Sequence, residues 1–180
     1  MTPMPNRRRF VLLLLATLAM ILVLQRIDVP LRTDAAPQGI VSFEFAGNQA
    51  VAQRILAAWD ERARVYAAFS LGFDYLFMLT YAVTLALACR LAEGPWQART
   101  RRGGALGAYL TVGQLAAALF DGVENLGLWR ILTGSTAGGW PVLAALCAGI
   151  KFVLIVLGLG YSLVGFGLFV QQRRAGRRSG

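Results

Sequence analysis

Apolar residues fall into four long runs separated by polar, arginine-bearing segments. A helix needs about 20 apolar residues to cross a bilayer, and the runs over 10–27, 67–91, 106–128 and 141–170 meet or approach that length. The first is the shortest and reaches Ile27 only if Gln25 and Arg26 extend their polar heads toward the lipid surface. Hydrocarbon offers no partner to open backbone groups, and four strands cannot close a barrel, so the runs must be helices. The pattern predicts an all-α, integral membrane four-helix bundle forming a single membrane domain.

Residues 28–66, between the first two runs, form the most patterned loop. Ile40 to Ala46 alternates weakly, which predicts a short extended piece on the membrane surface. From Asn48 the period turns helical. Val51, Ile55, Trp59 and Tyr66 fall on or near one face, while Gln53, Arg54, Asp60, Glu61 and Arg64 fall mainly elsewhere. This predicts an amphipathic interfacial helix that can run unbroken into the second span and anchors it, in preference to acting as a lid.

Composition agrees with the hydropathy pattern. The 180 residues are 57% hydrophobic and only 15% charged, with a mean hydropathy of +0.56, whereas soluble domains carry roughly 25% charged residues. The net charge of +9 suggests nucleic acid, but no aromatic or helical platform accompanies the arginines, so no nucleic-acid partner is expected. Arg7 to Arg9, the cluster from Arg90 to Arg102, and residues 171–180 place three short basic groups on one side, predicting that both termini are cytoplasmic. In the segment from Asp28 to Tyr66, acids nearly offset the arginines. One lysine against seventeen arginines points to GC-rich bacterial coding, and hence to the inner membrane. Asn6 to Val11 resembles a twin-arginine signal, but the nearest small-residue cleavage site, near Ala36, lies too far beyond Leu24, so a retained anchor is expected.

Several chemistries are excluded outright. There is no histidine, which removes imidazole zinc sites and every Ser-His or Cys-His nucleophile. Cys89 and Cys147 should lie about 20 Å apart along the membrane normal, too far for a disulfide. No internal repeat or phosphate-binding glycine loop is present, and no cofactor is expected.

Four ionisable residues lie inside the predicted spans: Asp74, Asp121, Glu124 and Lys151. Each costs ~2.5–3.5 kcal/mol at the bilayer centre and should face the bundle interior. At 1.5 Å per residue, they sit at about 10, 10, 6 and 15 Å below the outer surface. Gln114, Asp121, Glu124 and Asn125 share one stripe of the third span. Ser70, Asp74, Tyr81 and Thr84 share one of the second, and Ala144, Lys151, Gly158 and Gly165 one of the fourth. Three carboxylates and one ammonium leave two excess negative charges, so at least one carboxyl is expected to hold a proton: Lys151 pairs with one carboxylate while Asp121 or Glu124 keeps the proton, with Asn125 and Gln114 supplying hydrogen bonds. Asp121, Glu124 and Asp74 are the candidate catalytic residues for proton transfer, and Asn125, Gln114, Lys151, Tyr81 and Ser70 the candidate ligand contacts. A metal is disfavoured because Lys151 would repel it. Glu44 is expected to be solvated in its surface loop.

The expected function is binding of a lipid or hydrophobic small molecule in an outward-facing acidic pocket, with proton-transfer chemistry available there. The alternatives are a proton-coupled small transporter and a non-enzymatic assembly subunit. Membrane lipids are the expected partners, and a homodimer is compatible with so few helices. In general plan the chain resembles the sterol isomerase and sigma-2 receptor group, which also has four helices and buried acids; the long outer segment departs from that plan.

Overall fold

The computed structural model describes residues 4–178 and is 86% helical. Six helices follow in order: α1 Met4–Asp28, α2 Ile40–Glu44, α3 Gln49–Ala58, α4 Glu61–Gln97, α5 Arg101–Leu132 and α6 Gly139–Arg178. Four of them, α1, α4, α5 and α6, are long and apolar enough to cross a membrane. At 25, 37, 32 and 40 residues and 1.5 Å per residue, they reach past a ~30 Å hydrocarbon layer, so each continues beyond its apolar run.

Local signals define the starts. Asp60 Oδ1 accepts from the Ala63 N–H at 2.7 Å and caps α4. Thr100 Oγ1 accepts from Gly103 N–H at 3.0 Å and caps α5. Each cap satisfies one of the donors a helix start leaves open.

α4, α5 and α6 pack mutually, and α1 lies along α4. The contacts between helices are made by small residues: Ala67, Ala82, Ala86, Gly107, Ala117, Ala144 and Ala148 are buried. A Cβ built on Gly165 would stand 2.5 Å from that of Ala92, and one built on Gly158 would collide with Gln114. Large apolar side chains such as Tyr109, Leu119, Val156 and Phe166 point outward. Large residues outside and small or polar ones inside reverse the arrangement of a soluble bundle and suit a hydrocarbon surround.

The segment between α1 and α4 folds back over the ends of the bundle. Leu31, Phe43, Ile55 and Trp59 join Leu128 and Ile131 in a hydrophobic core there. The Phe43 and Trp59 rings meet edge-on at 5.2 Å, and Trp59 Nε1 donates to Leu31 O at 2.8 Å. Asp28 ties down the start of the segment: its carboxylate accepts from the Ile40 N–H at 2.7 Å and from Arg32 Nε at 3.0 Å. Gly39, at φ +59°, packs against that carboxylate, where no Cβ would fit.

Two expectations for this segment are corrected. Residues 40–44 are helical, not extended, and no strand runs beside them among the described residues. Phe43 and Glu44 are both buried, which a strand with one covered face cannot do with consecutive residues. The amphipathic helix exists as α3, with Ile55 and Ala52 on its buried side, but it does not run on into the second span. Trp59 takes an extended conformation, and Asp60 restarts the chain as α4.

Candidate functional site

Spacings of three and four residues on α5 bring Asp121, Glu124 and Asn125 to one inward face, since such positions lie on one side of a helix. α6 brings Lys151 against them. Its Nζ lies 2.8 Å from Asp121 Oδ1 and 2.9 Å from Glu124 Oε1, so the ammonium bridges two carboxylates where one partner was expected. From α4, Tyr81 donates its hydroxyl to Asp121 Oδ2 at 2.9 Å. Asp74, two turns earlier on α4 and half-buried, accepts from Asn125 Nδ2 at 2.6 Å. Its other oxygen accepts no hydrogen bond among the described residues.

Glu44 corrects the sequence reading. It is 9% exposed, not solvated, and its Oε2 lies 3.8 Å from Lys151 Nζ. The closing α2 carries it over the mouth of the cluster. Loss of water pushes its carboxyl above the ordinary value of 4.5, the Lys151 ammonium opposes that rise, and Asp121 adds to it. Glu44 and Glu124 both face the Lys151 ammonium, and one buried oxygen of each, Oε2, accepts no hydrogen bond. A carboxyl proton would give either oxygen a hydrogen to offer where the protein supplies it no donor. The missed signal was an acid set between Phe43 and Phe45, which is an unusual neighbourhood for a solvated residue.

Three carboxyl groups thus converge on one ammonium, and Asn125 holds a fourth, that of Asp74, beside them. Beside them is a cavity of about 490 Å³ whose charged and polar lining includes Glu44, Ser70, Asp74, Asp121, Asn125 and Lys151. Its walls are apolar and aromatic: Ile21 and Leu24 of α1, Phe77 and Tyr81 of α4, Phe152 and Ile155 of α6. Glu124, fully buried, lies behind this lining.

Of the residues singled out from the sequence, Asp74, Asp121, Glu124, Asn125, Lys151, Tyr81 and Ser70 come together here. Gln114 does not. It lies two turns away along α5 and its amide donates to Leu154 O at 2.8 Å, holding α5 to α6. Thr84 also leaves the group: its hydroxyl meets that of Thr17 on α1 at 2.9 Å. The two cysteines are free and buried, and Cys89 lies against Gly158 O at 3.6 Å. No group of three or more carboxylates and cysteines among the described residues is arranged to hold a metal ion.

Fold and site together define an all-helical bundle with four helices long and apolar enough to cross a membrane, closed around a buried carboxyl–ammonium cluster. Comparison with protein families, curated proteins and solved structures gives no match.

Proposed function

We propose that this is a multi-pass protein of the inner membrane, with both termini cytoplasmic and α2 and α3 lying at the outer interface. Its outer-half pocket binds a lipid or other hydrophobic small molecule and exchanges a proton with it. The observation that carries this reading is the apolar cavity of about 490 Å³ with Asp74, Asp121 and Lys151 on one side of it. That volume lies within the ~300–1,000 Å³ typical of small-molecule sites. Intramembrane ionisable groups are costly, so their convergence on a cavity argues for use.

The chemistry follows from the hydrogen bonds. Asp74 offers the cavity a carboxylate oxygen free of protein donors, suited to accept a proton from a bound molecule. A carboxyl of the Glu44–Glu124 pair that carries a proton is suited to return one, leaving the total charge unchanged. Tyr81 and Lys151 hold Asp121 in place.

The test is native mass spectrometry of the full chain extracted in mild detergent. A co-purifying hydrophobic molecule should be retained by the wild type and lost in Asp74→Asn, with the variant still eluting as the wild type does. Equal retention by both proteins would sink the reading.

The carrier alternative draws support from a second cavity in the same crevice. Residues of α1, α4 and α6 line both cavities in succession, and the Thr17–Thr84 contact lies between them. Proton-gradient-dependent flux in reconstituted vesicles would select that reading.

A further inference from the structure

The second cavity, of about 460 Å³, occupies the arginine-rich end of the crevice between α1 and α6, with α4 as its back wall. Phe10 and Leu14 of α1, Leu85 and Ala88 of α4, and Leu163 and Phe166 of α6 make it almost wholly apolar. On α6 it runs from Leu159 to Phe169, about 15 Å at the helical rise, half of a ~30 Å hydrocarbon layer. The groove therefore has the depth of one leaflet and ends where Thr17 meets Thr84.

Its mouth is cationic. Two guanidiniums lie against the Phe169 ring, with Arg7 Cζ 5.1 Å and Arg173 Cζ 4.7 Å from its centroid. Among the described residues, neither arginine is in a salt bridge. Eleven of the seventeen arginines belong to this end of the chain's helices, and Glu93 is the one carboxylate there. A zwitterionic head group would bring a second cation into this field, whereas an anionic one would not.

We propose that this groove is a binding site for one anionic phospholipid, with an acyl chain between α1 and α6 and the phosphate at Arg7 and Arg173. Guanidiniums match phosphate oxygens in shape as well as charge. The site is separate from the acidic cavity and stands whether or not that cavity binds anything.

The test uses the full chain in neutral detergent with dioleoyl phosphatidylglycerol, dioleoyl phosphatidylcholine and inorganic phosphate as probes. Native mass spectrometry should show one phosphatidylglycerol retained per chain, favoured over phosphatidylcholine by about tenfold. The double variant Arg7→Gln, Arg173→Gln should lose that preference, and Ala88→Phe, which fills the groove, should lose the lipid itself. Equal retention of the two lipids, either variant behaving as wild type, inorganic phosphate stabilising as strongly as the lipid, or a lipid-free dimer would each overturn the site. If Ala88→Phe does not elute as the wild type does, a phosphatidylglycerol with a photoreactive chain end decides. Labelling of Leu14, Leu85 or Leu163 supports the site, and labelling confined to the outer face of α5 overturns it.

Discussion

Lys151 Nζ sits 2.8 Å from Asp121 Oδ1, and the two residues lie on different helices with side chains only 7% and 2% exposed. Burying an ion pair this deeply costs desolvation on both partners, so the pair is not by itself a source of stability. Its consequence is dependence: taking away one partner leaves the other as an uncompensated buried charge.

Removing the cation should therefore be severe. Lys151→Met leaves two carboxylates facing Glu44 and Asp74 without compensation, and a loss of about 3–5 kcal/mol is expected. Adding Asp121→Asn and Glu124→Gln should recover much of it, because neutral amides need no counter-charge. Unfolding midpoints in detergent check both. If the triple variant is no better than the single, electrostatic dependence is wrong.

Glu44 should give the fold a pH dependence. Its carboxyl is held above 4.5 chiefly by burial, so the folded state binds its proton more tightly than the unfolded chain does. Such a group stabilises while protonated; the contribution is complete below the unfolded value of 4.5 and is lost as pH rises through the higher folded value. Glu44→Gln, which cannot ionise, should gain on the wild type as pH rises from 4.5. A difference between the two melting temperatures that stays constant or shrinks would refute this.

The Thr17–Thr84 contact should prove weak energetically. Each hydroxyl also lies within bonding distance of the carbonyl four residues back, Leu13 O at 2.8 Å and Thr80 O at 2.7 Å. Each has only one proton to give, so the bond between helices competes with a local one. Thr84→Val should cost no more than about 0.6 kcal/mol, the average for such bonds in a membrane bundle. A loss several times larger in unfolding titrations would show that the contact holds α1 in place.

Gly39→Ala should act on the closing segment alone. The residue is at φ +59° and its added methyl would displace the Asp28 carboxylate that bonds Ile40. The strained backbone costs roughly 1–3 kcal/mol, and freeing α2 should expose Glu44. Faster hydrogen exchange over residues 40–46, with α5 unchanged, is the expected signature. Unchanged exchange in that segment would mean that Asp28 does not restrain it.

What the sequence alone determined is the set of long helices and the face of α5 on which its acids lie. Apolar run length decides whether a helix crosses a bilayer, and the three- and four-residue spacings place Asp121, Glu124 and Asn125 on one stripe whatever else the chain does. Both are local properties of a helix with a constant rise and turn. Tertiary structure decided which charges meet. Lys151 takes two partners because the small residues of α5 and α6 let those helices approach, and Gln114, on the same stripe as Asp121, bonds Leu154 O because Gly158 leaves it room. The helix at 40–44 and the burial of Glu44 were invisible for the same reason. A short segment with weak periodicity takes its conformation from what covers it, here Asp28, Trp59 and the end of the bundle, all distant along the chain.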